Sequence, residues 1–272
     1  MQLRAAEREG RAFATTADAS MRYARRMAFL GWRMDERADD ATELRERMVA
    51  EQLLPRGVRD PRVLAAMRAV PRHLFLRRAG RIPRRGAARE HFLATAYDDG
   101  PLSIGHGQTI SQPFMVGWMS AALELEGDER VLEVGAGCGY QTAVLALLAR
   151  EIHAVEIVPE LAALARANLA ELRVRNAVVQ EGDGYDGLPA LAPFDAILVA
   201  AAPDHVPPPL LAQLAVGGRM VIPVGEDEQE LLVVRRTARG YEERHDFGVR
   251  FVPLVRRAEV RGGGSGGGAP AP

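Results

Sequence analysis

Two kinds of apolar pattern alternate along the chain between residues 130 and 224. Short apolar runs rich in β-branched residues alternate with segments whose apolar positions recur every three or four residues. Strands that alternate with helices need crossover connections, which are typical of a parallel sheet with helices on both faces. The sequence therefore predicts an α/β fold with a doubly wound sheet. The predicted strands are Arg130–Val134, Ile152–Glu156, Ala177–Gln180, Ala196–Val199 and Arg219–Val224, and the predicted helices are Gln141–Arg150, Pro159–Leu172 and Pro208–Leu214.

Two further segments, Leu231–Arg236 and Phe247–Pro253, have strand character with no helix between them. We expect them to form a hairpin at the sheet edge, which gives a seven-stranded, mostly parallel sheet. Ahead of the sheet, apolar spacing predicts helices that start near Leu44 and Pro61 and a third over Phe114–Leu125. Arg77–Arg89 is predicted as a loop and Gly217-Gly218 as a turn. After Asp98–Pro101, a turn-rich segment is predicted to lead to the motif GHGQTISQP at Gly105–Pro113.

Composition divides the chain into three parts. Residues 1–43 are rich in Arg, Ala and Glu without a clear apolar face, which predicts a helical or disordered extension. Residues 44–261 form the predicted domain, with N-terminal helices and a loop over 44–113 and the sheet over 114–261. The Gly- and Pro-rich residues 262–272 have the composition of a flexible tail.

The composition excludes several classes of protein. An apolar fraction of 47% and a charged fraction of 26% are those of an ordinary globular protein, and no apolar run is long enough to cross a bilayer. Met27–Trp32 is too short for the core of a signal peptide, so we expect a cytoplasmic protein. The single cysteine, Cys138, excludes intramolecular disulfides and multi-cysteine zinc sites, and we expect no metal.

Charge is distributed unevenly. Residues 1–90 hold 21 Arg against 12 Asp and Glu, a balance of +9, and the remainder carries −10. A codon bias that favours Arg and Ala explains this, and long-range attraction of an acidic substrate or a nucleic acid is the alternative.

The first predicted strand ends in three glycines at alternate positions, Gly135, Gly137 and Gly139. Such a turn lets a ligand approach the backbone, because no Cβ atoms intervene. The next strand ends on Glu156, whose carboxylate could accept hydrogen bonds from both ribose hydroxyls. A dinucleotide fingerprint would place its third glycine at Tyr140, and no Walker lysine is present. The pattern therefore indicates an adenosine-bearing cofactor that is not a dinucleotide.

Three sequence blocks resemble the protein-L-isoaspartate O-methyltransferase family, over about Met48 to Arg256. They are PLSIGHGQTISQP (Pro101–Pro113), VLEVGAGCGYQTAVLA (Val131–Ala146) and the segment Glu181–Pro207. The second block is typical of class I methyltransferases that use S-adenosylmethionine, whereas GQTISQP is a narrower signature. The resemblance implies a Rossmann-like fold and methyl transfer from S-adenosylmethionine to the carboxylate of L-isoaspartyl residues. The ester would then close to a succinimide without an enzyme, which starts the repair of damaged proteins.

The same resemblance implies roles for particular residues. Ser111, the serine of the TIS tripeptide, would be catalytic, because its hydroxyl could align a substrate carboxylate that is already ionised at pH 7. Ser111 could instead cap the helix that begins near Pro113, and the two roles can coexist. Glu156 and Asp183 have plainer interpretations as a solvated strand end and a turn. The implied cofactor-binding residues are Gly135, Gly137, Gly139, Glu156, Ile157, Asp183 and Gly184, and the implied substrate and active-site loop contains Ile104, Gly105, His106, Gly107, Thr109 and Ile110.

Two other activities are alternatives to repair. An aspartyl O-methyltransferase acting on one dedicated biosynthetic peptide would use the same chemistry. A nucleic-acid methyltransferase is disfavoured, since Ala200–Pro203 stands where an Asn/Asp-Pro-Pro-aromatic motif would be needed and the only cysteine lies in the glycine turn. We therefore expect isoaspartyl proteins and peptides as partners, no nucleic acid, no membrane, and a monomer.

Overall fold

The computed structural model describes residues 41–76, 83 and 85–256. A seven-stranded sheet forms the centre of this part, in the order β5-β4-β3-β6-β7-β8-β9. The five strands from β5 to β7 are parallel, and β8 and β9 add to the edge as antiparallel strands. This confirms the predicted fold class. The strands are β3 Arg130–Val134, β4 Glu151–Glu156, β5 Ala177–Glu181, β6 Phe194–Val199, β7 Leu214–Val224, β8 Gln229–Thr237 and β9 Gly240–Val249.

Helices cover both faces of the sheet, and a small antiparallel hairpin lies before it. The hairpin consists of β1 Leu102–Gly105 and β2 Gln108–Ile110. The α-helices are α1 Thr42–Arg47, α2 Pro61–Ala69, α3 Gly86–Ala96, α4 Pro113–Ala122, α5 Tyr140–Leu148, α6 Pro159–Glu171 and α7 Pro208–Gln213. Helix α1 continues as the π-helix Met48–Leu53 and the 3-10 turn Leu54–Arg56. Two more 3-10 turns lie at Arg72–Phe75 and Pro189–Leu191.

Apolar side chains are buried on both faces of the central strands. In β3, Val131 belongs to the larger apolar cluster, whereas Leu132 and Val134 belong to a second cluster on the opposite face. Continuous apolar runs are expected where helices cover both faces of parallel strands, which explains why these strands did not alternate in the sequence. Within the described residues, no helix is long and apolar enough to cross a membrane.

The strand order reverses between β3 and β6, and this reversal determines where a ligand can bind. The chain leaves β3 toward β4 on one side and later enters β6 on the other. At such a point the two loops that follow the neighbouring strands separate and leave a crevice at the carboxyl edge of the sheet.

Four local predictions were wrong. Residues 77–82 and 84 of the predicted loop Arg77–Arg89 lie outside the described part, and the end of that segment is not a loop, because α3 begins at Gly86. The turn-rich segment that leads to Gly105 contains β1, the first strand of the hairpin. Gly217-Gly218 lies inside β7, as part of a bulge between the Leu214 and Arg219 pairings with β6. The predicted strand Phe247–Pro253 ends at Val249 and starts seven residues earlier, at Gly240.

Two of the proposed domain boundaries, after residues 43 and 113, fall inside the described part of the chain, and the third, after residue 261, lies outside it. Helix α1 begins at Thr42, two residues before the predicted Leu44. The predicted extension, except for its last residues, and the predicted tail at 262–272 lie outside the described part.

Candidate functional site

A cleft of about 780 Å³, counted to its open mouth, lies at the carboxyl ends of β3 and β6. It brings together the glycine loop after β3, the end of β4, the β2 strand of the hairpin and a segment near the C-terminal end of the described chain. The cleft is lined by Gln108, Thr109, Ile110, Ser111, Val116, Val134, Gly135, Ala136, Gly137, Cys138, Tyr140, Gln141, Val155, Glu156, Ile157, Gly184, Ala200, Ala201 and Val252–Val255.

Glycines are required in the loop for two different reasons. Gly137 has φ +55°, and a Cβ atom there would lie 3.2 Å from Ile104 Cδ1, so the hairpin packs directly on the loop at this point. Gly139 has φ +87° and precedes α5; a Cβ atom there would meet the backbone of Ala165 in α6 at 3.3 Å. Gly137 therefore lets the hairpin pack against the loop, whereas Gly139 lets α6 pack closely against the start of α5.

The Glu156 side chain is 5% exposed and lines the cleft, so it is not a solvated strand-end carboxylate. Its Oε2 accepts a hydrogen bond from Gly137 N at 2.7 Å, and its Oε1 accepts one from Val158 N at 2.9 Å. A carboxylate has about four lone-pair sites, so each oxygen can accept one more hydrogen bond. This arrangement fits a ligand with two adjacent hydroxyls.

Ser111 lies at the end of the hairpin, directly before α4, and lines the cleft beside Thr109 and Ile110. The N-cap residue of α4 is Gln112, and its side chain makes no capping hydrogen bond to the helix. Within the described part of the chain, the Ser111 hydroxyl has no hydrogen-bond partner. The capping alternative is therefore wrong in this structure, and the hydroxyl is available to a ligand in the cleft.

Six predicted site residues do not line the cleft. Asp183 forms a local turn in which its Oδ1 accepts a hydrogen bond from Tyr185 N at 3.0 Å, while Gly184 reaches the cleft. A Cβ atom on Gly184 would lie 2.5 Å from Val134 Cγ1, so this backbone crosses close over the end of β3. The predicted residues that the structure places outside the lining are Gly139, Asp183, Ile104, Gly105, His106 and Gly107.

Several lining residues come from segments that the sequence did not assign to the site. Val252–Val255 lies outside any strand and lines the cleft because Ala202 N donates to Val252 O and Leu254 N donates to Ala202 O, both at 2.8 Å. Nothing local distinguishes this segment, because its place depends on pairing with a residue about 50 positions away. Ala200 and Ala201, the small residues directly after β6, also line the cleft.

Two buried ionisable groups lie beside the glycine loop. Burial raises the pKa of Cys138 to about 11, so its thiol is protonated at neutral pH and is not a nucleophile. Burial also raises the pKa of Glu133 to about 8, and the charge of Glu156 adds to this rise. Among the described residues, neither Glu133 oxygen has a hydrogen-bond partner.

Comparisons with known proteins agree on one family. The model of the family described as protein-L-isoaspartate(D-aspartate) O-methyltransferase matches residues 44–259. A protein-L-isoaspartate O-methyltransferase of Picosynechococcus sp. is 51% identical over 217 residues, which cover 80% of this chain and 92% of the relative. One of Anaeromyxobacter dehalogenans is 56% identical over 213 residues, covering 77% of this chain and 96% of the relative.

Solved structures give the same result. One protein-L-isoaspartate O-methyltransferase superposes with a TM-score of 0.68 at 26% identity, covering 80% of this chain and 66% of that one. A Plasmodium falciparum protein described as a beta-aspartate methyltransferase was crystallised with S-adenosyl-L-homocysteine. It superposes with a TM-score of 0.63 at 25% identity, covering 80% of this chain and 99% of that one.

Proposed function

The chain belongs to the protein-L-isoaspartate(D-aspartate) O-methyltransferase family, and from this membership and the geometry of the cleft we propose the reaction that it performs. It uses S-adenosylmethionine to methylate the free carboxylate of L-isoaspartyl residues in damaged proteins and peptides. The observation that carries the proposal is the single cleft in which Ser111, the glycine loop and Glu156 meet.

The cleft residues fit an adenosyl cofactor. The Glu156 carboxylate can accept two more hydrogen bonds from the ribose hydroxyls, beside a loop that is open at Gly135 and Gly137. Gly184 and Ile157 add backbone and apolar surface for the adenine. A contact between Asp183 and the amino group of the adenine stays a prediction. When bound, S-adenosylmethionine supplies a methyl group on a sulfonium, which is already activated for transfer.

The chain's own residues align and desolvate the acceptor. A substrate carboxylate with a pKa of about 4 is ionised at neutral pH, so no general base is needed. The Ser111 hydroxyl donates a hydrogen bond to that carboxylate, and Thr109 lies on the same strand end. The small residues Ala200 and Ala201 leave room for a peptide main chain, and Val252–Val255 covers the acceptor from water. Alignment of this kind can supply about 7–11 kcal/mol of a barrier.

Replacing Ser111 with alanine should lower kcat/KM for an isoaspartyl peptide by about 10- to 100-fold. The reason is the loss of one hydrogen bond to a charged group, worth about 1.5–3 kcal/mol. The affinity for S-adenosyl-L-homocysteine, measured by calorimetry, should stay within about twofold, since the Ser111 hydroxyl serves the acceptor carboxylate and not the ribose of the cofactor.

Ser103→Ala is the matched control for Ser111→Ala, because Ser103 lies exposed on the other strand of the same hairpin and does not line the cleft. Its kcat/KM should equal that of the wild-type protein. Wild-type turnover in Ser111→Ala would remove Ser111 from the alignment of the acceptor.

The repair reaction is tested with two peptides that differ in one linkage. Radiolabelled methyl transfer is measured to an isoaspartyl peptide and to the aspartyl peptide of the same sequence. A site built around one arrangement of carboxylate and main chain should prefer the isoaspartyl form by roughly 100-fold or more. Equal rates would instead support an aspartyl O-methyltransferase, and no transfer to either peptide would contradict the proposal.

A monomeric working unit is supported by a cleft whose lining comes from one chain. A cytoplasmic location and the lack of a nucleic-acid partner are supported by the sequence arguments given above.

A further inference from the structure

We propose that Asp99 is a positioning residue for the methyl transfer, because it fixes the hairpin that carries Ser111 over the cleft. This inference rests on the proposed function. Asp99 lies in the turn before β1, and the chain returns to it after β2. Its Oδ2 accepts a hydrogen bond from Gln112 Nε2 at 2.8 Å, and Gln112 directly follows Ser111. One side-chain contact therefore closes the base of the hairpin.

The same carboxylate serves the start of α4. Its Oδ1 lies 3.4 Å from Phe114 N, in the first turn of a helix whose own N-cap residue makes no side-chain capping bond. A negative charge near a helix N-terminus is favourable, because it interacts with the helix dipole and with backbone N–H groups that lack partners in the helix. Asp99 thus replaces the local cap that Ser111 does not provide.

Arg56 attaches this arrangement to the N-terminal helical segment. Its guanidinium forms an ion pair with Asp99 Oδ2, and the Cζ atom lies 3.9 Å from the ring centroid of Phe114. Arg56 Nε also donates to Gln52 O at 2.8 Å, and Gln52 Nε2 donates to Tyr97 O at 2.8 Å. The turn that contains Asp99 is therefore held by the helical segment that precedes α2 rather than by the hairpin alone.

The three donors around Asp99 require both of its oxygens. In Asp99→Asn only one oxygen remains, so the side chain can accept either from Phe114 N or from Gln112 and Arg56. Either orientation points an amide N–H₂ group at another donor. The base of the hairpin then loosens, and a displacement of about 1 Å at an acceptor-aligning group can cost on the order of 100-fold in rate. The floor of the cleft at Gly135 and Glu156 makes no contact with Asp99, so cofactor binding should not change.

The experiment compares Asp99→Asn with Asp60→Asn in the full-length protein. Asp60 is a matched control: it accepts from Arg62 N at 2.8 Å at the start of α2, pairs with the Arg62 guanidinium, and does not line the cleft. The side-chain exposures are 24% for Asp60 and 25% for Asp99. With an isoaspartyl peptide, Asp99→Asn should lower kcat about 10-fold or more, whereas Asp60→Asn should stay within about twofold of wild type. Both variants should bind S-adenosyl-L-homocysteine within about twofold of wild type.

A second variant keeps the test decisive if Asp99→Asn does not fold. Gln112→Leu removes the same contact from the other side, and it should lower kcat without changing the affinity for S-adenosyl-L-homocysteine. Where both variants fold, the double variant should be no less active than Asp99→Asn, because Asp99→Asn already disturbs the contact that Gln112→Leu removes. Losses that multiply, or full kcat in Gln112→Leu, would overturn the role of Asp99.

The wild-type protein distinguishes the two proposals. If the wild-type protein transfers no methyl group to the isoaspartyl peptide, the proposed function is wrong. An active wild type in which Asp99→Asn and Asp60→Asn have equal kcat contradicts only the positioning role.

Discussion

Glu156→Ala should weaken the binding of S-adenosylmethionine and S-adenosyl-L-homocysteine by about 100-fold or more. The expected loss comes from two hydrogen bonds between ribose hydroxyls and a charged acceptor, each worth about 1.5–3 kcal/mol. The variant also leaves Gly137 N and Val158 N without their side-chain acceptor, which loosens the glycine loop. Calorimetry with S-adenosyl-L-homocysteine measures the affinity directly, without a peptide substrate.

Glu181→Ala is the matched control for Glu156→Ala. Glu181 pairs in register with Glu156 at the end of the neighbouring strand β5, but it is exposed, forms an ion pair with Arg166 and does not line the cleft. Its removal should leave the affinity within about twofold. If Glu156→Ala binds the cofactor as tightly as the control does, Glu156 only stabilises the loop and has no ribose-binding role.

Glu133→Gln should stabilise the protein at pH 9 by about 3–5 kcal/mol relative to wild type, and much less at pH 5. Burial raises the pKa of Glu133 from its ordinary value of 4.5 to about 8, so the folded protein holds a proton that the unfolded chain releases. Stability is therefore lost as pH rises from about 4.5 to about 8, and the full cost persists above pH 8. A neutral glutamine avoids this cost. Urea unfolding at pH 5, 7 and 9 measures the difference.

Glu151→Gln is a control of opposite sign. The hydrogen bond from Arg130 lowers the pKa of Glu151, so its carboxylate stabilises the fold above the unfolded pKa and loses that effect as pH falls. Its substitution should be mildly destabilising by the same amount at pH 7 and pH 9. A Glu133→Gln difference that is constant between pH 5 and pH 9 would show that Glu133 is already ionised in the folded protein.

The sequence predicted the elements whose own residues determine them. Strand β3 has its predicted bounds, and α6 ends within one residue of its prediction, because apolar period and flanking glycine or proline residues mark both. Predictions were wrong where pairing outweighed local preference. The strand β9 contains the polar run Tyr241–Asp246, which has no apolar alternation and is a strand because it pairs with β8. The glycines at 217 and 218 form a bulge because both flanks of β7 are held by β6.

The sequence by itself determined the candidate site residues: the glycine loop, the acidic residue that ends the second parallel strand and the TIS tripeptide are contiguous or regularly spaced. Only the tertiary structure decided which residues share the cleft. Ser111 is 45 residues from Glu156, and Val252–Val255 is further still, so their meeting depends on the strand order and on the β-bridge between Ala202 and Pro253. The tertiary structure also decided that Ser111 does not cap α4, since the carboxylate at the start of this helix belongs to Asp99, on the other side of the hairpin. The physical reason is that local spacing determines periodicity and turns, whereas contacts between distant segments depend on how complete elements pack.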